Sequence, residues 1–196
     1  MPLRRRHLFC ASLLLVPSAF AQGDAVTLEG QRFERRLQVA GQDLLLNGTG
    51  VRQVAWFKGY AAGLYLARRC NTADRAVALP GAKRLQLRML QDVAAAEFVK
   101  AFRKGIQRNV AAEALPAMAD AMRRFEALVS AIGQVNKGDR VDLDFEPGRG
   151  TSLSLNGTLR GEAVAGDALF AALLRSFVGD RPYDERLKAG LLGERA

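Results

Sequence analysis

The chain has 196 residues, with 29 Lys and Arg against 20 Asp and Glu, for a formal charge of +9. Its one histidine is His7 and its two cysteines are Cys10 and Cys70. Once a leader is cut after Ala21, no imidazole and only one thiol remain. That excludes a Ser-His-Asp triad, a Cys–His pair, a typical zinc site and an intramolecular disulfide.

The leader is read from "MPLRRRHLFCASLLLVPSAFAQ". Arg4 to Arg6 form a positive n-region, Leu8 to Val16 a short apolar h-region, and Ala19-Phe20-Ala21 a small-residue cleavage site. The apolar run is too short to span a bilayer, so residues 1–21 are expected to be a signal peptide rather than an anchor. Its removal takes the formal charge from +9 to +6. Residues 22–196 are expected to form a single domain, exported and, in a Gram-negative bacterium, periplasmic. Export argues against nucleic acid as a partner. The scattered basic excess leaves a weak attraction to anionic membrane surfaces.

Residues 26–66 read as strands. "RFERRLQV" alternates loosely, and Asn47-Gly48 in "DLLLNGTG" suits a tight turn. "AWFKGYAAGLYLA" carries no charge except Lys58, as expected for a strand covered on both faces. "NTADRAVAL" fits one or two helical turns. In "KRLQLRML", Leu85, Leu87 and Met89 share one face of a half-buried strand. Two helices follow. Asp92 is a fitting N-cap for the first, in which Phe98, Phe102 and Ile106 recur at helical spacing. The second carries Met118, Met122, Phe125, Val129 and Ile132 and stops at Gly133.

Strands then return. In "DRVDLDFEP", Val141, Leu143 and Phe145 point inward and Asp142, Asp144 and Glu146 outward, the pattern of a solvated face more than of a cation site. "TSLSLNGTLRGEA" supplies two short strands around Asn156-Gly157. "LNGT" occurs both at Leu46–Thr49 and at Leu155–Thr158 and reads as a reused turn. "DALFAALLRSFVG" and "DERLKAGLLG" are terminal helices. Strands, two helices, strands, then helices predict an α+β fold: a mostly antiparallel sheet with a layer of helices on one face. "NKGD" and "PGRG" are turns rather than phosphate loops, and the sequence carries no cofactor or metal motif. Cys70, beside Arg68 and Arg69, is expected to be a bystander.

One pair stands apart. Arg52 and Tyr60 lie within an otherwise apolar run. A straight strand would hold them about 26 Å apart, whereas a hairpin centred on Trp56 makes them cross-strand neighbours. A guanidinium fork beside a phenol, among apolar side chains, suits a carboxylate or enolate oxygen. The alternatives are that Arg52 pairs with an internal Asp or Glu, or reaches solvent from a strand end.

"LNGTGVRQVAWFKGYAAGLYL" resembles the central motif of the chalcone isomerase-like superfamily, L-x-G-x-G-x-R followed by an aromatic-rich segment ending in G-[LV]-Y. The likeness runs on through "RLQLRML", "EFVKAFRKGI", "KGDRVDLDFEPGRGTSLSLNG" and "ALLRSFVGDRPYDERLKAGLLG", from about Val26 to Gly193. The resemblance implies an antiparallel sheet layered with helices and a ligand cleft between them. True chalcone isomerases close a flavanone ring with the motif arginine, a strand threonine, and a helical Tyr and Asn. Here Arg52 matches the arginine and Ser176 falls near a later Thr/Ser substrate-contact position. Tyr60 replaces the threonine, no tyrosine lies between Leu66 and Pro182, and Asn109 is an unaligned stand-in for the Asn.

The non-enzymatic, fatty-acid-binding members keep the arginine and place a tyrosine where Tyr60 stands. The resemblance therefore implies a non-catalytic protein of the exported bacterial branch. It would bind a fatty acid or similar amphipathic carboxylate through Arg52, Tyr60 and Ser176. The rival readings are an intramolecular lyase of isomerase type, using Arg52, Tyr60 and Ser176 on a developing oxyanion, and a scaffold with a vestigial cleft.

Overall fold

The computed structural model describes residues 24–194; the leader, with His7 and Cys10, lies outside the described residues. A short hairpin, β1 (Ala25–Leu28) and β2 (Gln31–Glu34), precedes β3 (Arg36–Val39). The long β4 (Gln42–Val54) turns back into β5 (Phe57–Leu66). After α1 (Ala73–Ala78) come β6 (Lys83–Met89) and the two-residue β7 (Val93–Ala94). The helices α2 (Ala95–Asn109) and α3 (Leu115–Ser130) follow, then β8 (Gln134–Val135), which pairs with β7. The chain continues through β9 (Arg140–Glu146), β10 (Gly150–Leu155) and β11 (Thr158–Leu159) to α4 (Asp167–Val178) and α5 (Glu185–Leu191).

Seven strands form one antiparallel sheet in the order β11-β10-β9-β6-β5-β4-β3. The central β5 is buried on both faces, as its nearly uncharged sequence predicts. Its alternate residues Tyr60, Ala62, Leu64 and Leu66 join Leu85 and Leu87 of β6 and Val141 and Leu143 of β9 on one face. Phe102 and Ile106 of α2, Phe125 and Val129 of α3, and most of α4 pack there. That is the α+β architecture of a sheet with helices on one face. No helix among the described residues is long and apolar enough to cross a membrane.

The opposite face departs from expectation. Ala61 and Tyr65 pack there with Phe33 of the N-terminal hairpin and with Leu44 and Leu46. Asp142 is only 2% exposed and accepts from Gln86 at 2.8 Å, and Arg84 grips Asp144 with two bonds of 2.6 Å. Asp142 and Asp144 are thus engaged by neighbouring strands, not by water. Charges buried without such partners would cost several kcal/mol.

Two turn and cap expectations also change. The α2 N-cap is Ala94, and Asp92 instead accepts the Lys137 backbone N–H at 2.7 Å, bridging the loops beside β7 and β8. The second "LNGT" is a turn, with Asn156 and Gly157 at φ 53° and 82°. The first is not: β4 runs straight through Asn47-Gly48 with a one-residue bulge.

Candidate functional site

That bulge decides where Arg52 points. Side chains alternate between faces along a strand, so Leu46, which faces the Phe33 cluster, would put Gly48, Gly50 and Arg52 on the same side. The extra residue Asn47 reverses the parity. Beyond it Gly48 pairs with Leu64, Gly50 with Ala62 and Arg52 with Tyr60, all on the helix-covered face. The bulge is held by the Asn47 amide, which donates to Cys70 O at 2.9 Å and Leu191 O at 2.7 Å and accepts from Cys70 N at 2.7 Å. Cys70 is buried with its backbone locked to Asn47.

The two motif glycines then admit a helix. A Cβ on Gly50 would stand 2.8 Å from the Leu187 carbonyl, and one on Gly48 would collide with the carbonyl of Gly190. Helix α5 can lie on β4 only because those positions lack side chains. Its N-cap, Asp184, accepts from Arg186 N at 2.9 Å and Leu187 N at 3.2 Å through Oδ1. Through Oδ2 it accepts from Gln53 N at 3.2 Å and from one nitrogen of Arg52 at 3.3 Å. Burial works against the Asp184 charge. The N–H groups of Leu187, Gln53 and Arg186, with the Arg52 guanidinium, prevail and hold its carboxyl below the usual carboxylate range.

Arg52 therefore has an acidic neighbour, as one of the alternatives read from the sequence has it, but it is not consumed by it. The same Nη1 also donates to Gln53 O at 3.1 Å, while Nε and Nη2 have no acceptor among the described residues.

The hairpin closes through a two-residue turn, Ala55-Trp56, with Val54 opposite Phe57; Gly59 is the extra residue that restores the Arg52–Tyr60 pairing. The Tyr60 ring is buried and stacks with Phe98 of α2 at 6.5 Å. Burial and the nearby Tyr183 phenol raise its hydroxyl far above the ordinary tyrosine value, with Arg52 opposing. That hydroxyl has no hydrogen-bond partner among the described residues.

Arg52, Tyr60 and Tyr183 line a cavity of about 230 Å³ between sheet and helices. Apart from these three and Glu97 the lining is apolar, with Leu87, Leu143, Phe102, Phe125, Leu173 and Phe177 among its members. Val54 and Phe57, both substantially exposed, stand at its rim. Its size falls slightly below the usual range of small-molecule pockets. Donors cluster at the Arg52 end and hydrocarbon walls fill the rest. Such an arrangement can hold an anionic head and an apolar tail.

Ser176 is not among the lining residues. It is fully buried on α4 and donates back to Ala172 O at 3.1 Å. A Cβ on Gly105 of α2 would meet both the Ser176 and Tyr183 hydroxyls, so these two side chains abut there. Tyr183 takes the cavity-facing position. Burial pushes its hydroxyl up to about 12, against the opposing effects of Ser176 and Arg52. Asn109 lies elsewhere, tying the end of α2 to Arg181 by bonds of 2.9 and 3.2 Å.

Tyr183 and Asp184 are the residues that sequence reasoning passed over. Their signal was local: an aspartate directly before a helical pattern, flanked by the aromatic of "RPYDER".

Fold and site together define a class: α+β proteins with a largely apolar cavity between an antiparallel sheet and a helical layer. The chain belongs to the chalcone isomerase-like family, whose pattern it matches over residues 25–193. The crystal structure of the Arabidopsis thaliana fatty-acid binding protein AtFAP1 superposes with a TM-score of 0.67 at 15% identity, covering 86% of this chain and 96% of that one. No curated protein sequence matches the chain.

Proposed function

We propose that this protein binds a fatty acid or a similar amphipathic carboxylate without transforming it, after export to the periplasm of a Gram-negative bacterium. The carboxylate accepts from the free edge of the Arg52 guanidinium and from the Tyr60 hydroxyl, and the tail lies along the apolar walls. One observation carries the reading: Arg52 and Tyr60 are register partners at the polar end of an apolar cavity, with donors that no group among the described residues uses. Hydrogen bonds that involve a charged group are worth about 1.5–3 kcal/mol, so a carboxylate is a favoured acceptor there.

The electrostatics support binding over proton transfer. Tyr60 and Tyr183 are both pushed above the usual phenol value, so at neutral pH both remain donors. Glu97, the one carboxylate of the lining, is an exposed residue. The likeness to a protein named for fatty-acid binding points the same way.

Native mass spectrometry of protein purified without detergent tests the reading. A co-purifying fatty acid is expected in the wild type, and Arg52→Ala should release it. Equal retention by both proteins removes the head-group assignment, and turnover of a chalcone by the wild type restores the lyase alternative. N-terminal sequencing of the secreted chain should begin at Gln22.

A further inference from the structure

Four large apolar side chains are left exposed among the described residues, and three of them sit at one tip: Val54 at 56%, Trp56 at 92% and Phe57 at 47%. Two of these three also line the cavity, so the exposed apolar surface is continuous with the cavity wall. The tip is the two-residue turn between β4 and β5, beyond the stretch of β4 (Gln42–Leu45) that pairs with β3. Part of its backbone is already satisfied: the Gln53 side chain donates to Ala55 O at 2.6 Å, and Val54 and Phe57 pair across the turn. The adjacent charge is neutralised as well, by Lys58 and Glu29 at 2.8 Å.

We infer that this hairpin tip inserts into the interfacial region of an anionic lipid bilayer, placing the cavity mouth against the membrane. Three side chains on a turn are far too few for a stable protein interface, which takes about 800 Å² from each partner. They match instead what an interfacial anchor presents. Indole and phenyl groups settle at the headgroup boundary, where an unbonded carbonyl would be costly and a bonded one is not. The net charge of +6 left once Arg4 to Arg6 are removed from the chain's +9 complements an anionic surface. The inference does not depend on the head-group roles of Arg52 and Tyr60. It does supply a route by which an amphipathic carboxylate reaches the cavity without crossing water.

Trp56 is the only tryptophan, so the proposed anchor reports on itself. With phosphatidylcholine vesicles containing phosphatidylglycerol, its emission should shift to the blue and become protected from aqueous quenchers. Partitioning should grow with the phosphatidylglycerol fraction and weaken with salt. Trp56→Ser, followed by co-sedimentation, should lower partitioning about tenfold or more while co-purified fatty acid is retained. Arg52→Ala should do the reverse, releasing fatty acid while still sedimenting with vesicles, so the two readings fail separately. An unshifted spectrum with anionic vesicles overturns the inference. So does a blue shift that rises with protein concentration in the absence of lipid, which would assign the tip to self-association.

Discussion

Arg52 and Asp184 lie 132 residues apart in the chain and 3.3 Å apart in the fold, joined by a single guanidinium nitrogen. The contrast with Arg84 and Asp144, which meet through two parallel bonds of 2.6 Å, shows what kind of pair this is. A two-pronged pair occupies an arginine; a one-pronged contact steers it and leaves its other edge available. Asp184 spends its remaining capacity on the α5 N-terminus and on Gln53 N, so it couples the position of α5 to the orientation of Arg52.

Tyr60→Phe separates stability from binding. The hydroxyl has no partner among the described residues and its ring is buried, so its removal should leave the urea midpoint unchanged or slightly higher. Fatty-acid affinity should fall about three- to tenfold, the worth of one hydrogen bond to an anion. Unchanged affinity in a titration calorimeter would remove Tyr60 from the head-group site.

Gly50→Ala tests the seat of α5. The added methyl meets the Leu187 carbonyl at 2.8 Å, and neither backbone can yield cheaply. A loss of about 1–3 kcal/mol is expected from urea unfolding, together with weakened ligand retention as Asp184 and Arg52 are pushed apart. Stability equal to the wild type would mean that α5 does not depend on a bare strand.

Asp184→Asn keeps a good helix cap while removing the charge. The wild-type carboxyl is held below its ordinary value near 3.9, so its stabilising contribution is complete above that pH and is lost as pH falls through the folded value. The variant should lose that part of the acid dependence when stability is followed from pH 5 to pH 2. Relieved of its competing carboxylate, Arg52 should bind an added fatty acid more tightly. Weaker binding would show that Asp184 orients Arg52 more than it competes for it.

At the alkaline end the sign reverses. The Tyr183 hydroxyl is raised to about 12 by burial, against an unfolded value near 10. Its contribution is complete below about pH 10 and disappears as pH rises toward 12, because the unfolded chain ionises first. Tyr183→Phe should flatten the stability profile between those values. A profile parallel to wild type in thermal melts would place that phenol in water.

Much of the fold was legible in local pattern. Alternation marked β9, and three- and four-residue spacing marked α2 and α3. The uncharged run of β5 announced a central strand. Even the Arg52–Tyr60 pairing followed from a hairpin near Trp56, although the structure reaches it by a two-residue turn and an extra Gly59. These features depend on residues a few positions apart, and hydrophobic periodicity reports such relations directly.

The two copies of "LNGT" show where that legibility ends. Asn156 finds its partners in Arg140 N and Asp139, beside its own hairpin, and turns the chain. Asn47 finds Cys70 and Leu191, the latter 144 residues away, and bulges a strand instead. Identical tetrapeptides thus take different shapes because distant backbone groups satisfy them differently. By itself the sequence determined most of the strands and helices, the hairpin and the presence of a cation in an apolar run. Only the tertiary structure decided which face that cation occupies, that Asp184 rather than water stands beside it, and that Tyr183 rather than Ser176 looks into the cavity. The physical reason is parity: one residue inserted into β4, held by contacts made from the far end of the chain, reverses every side chain after it.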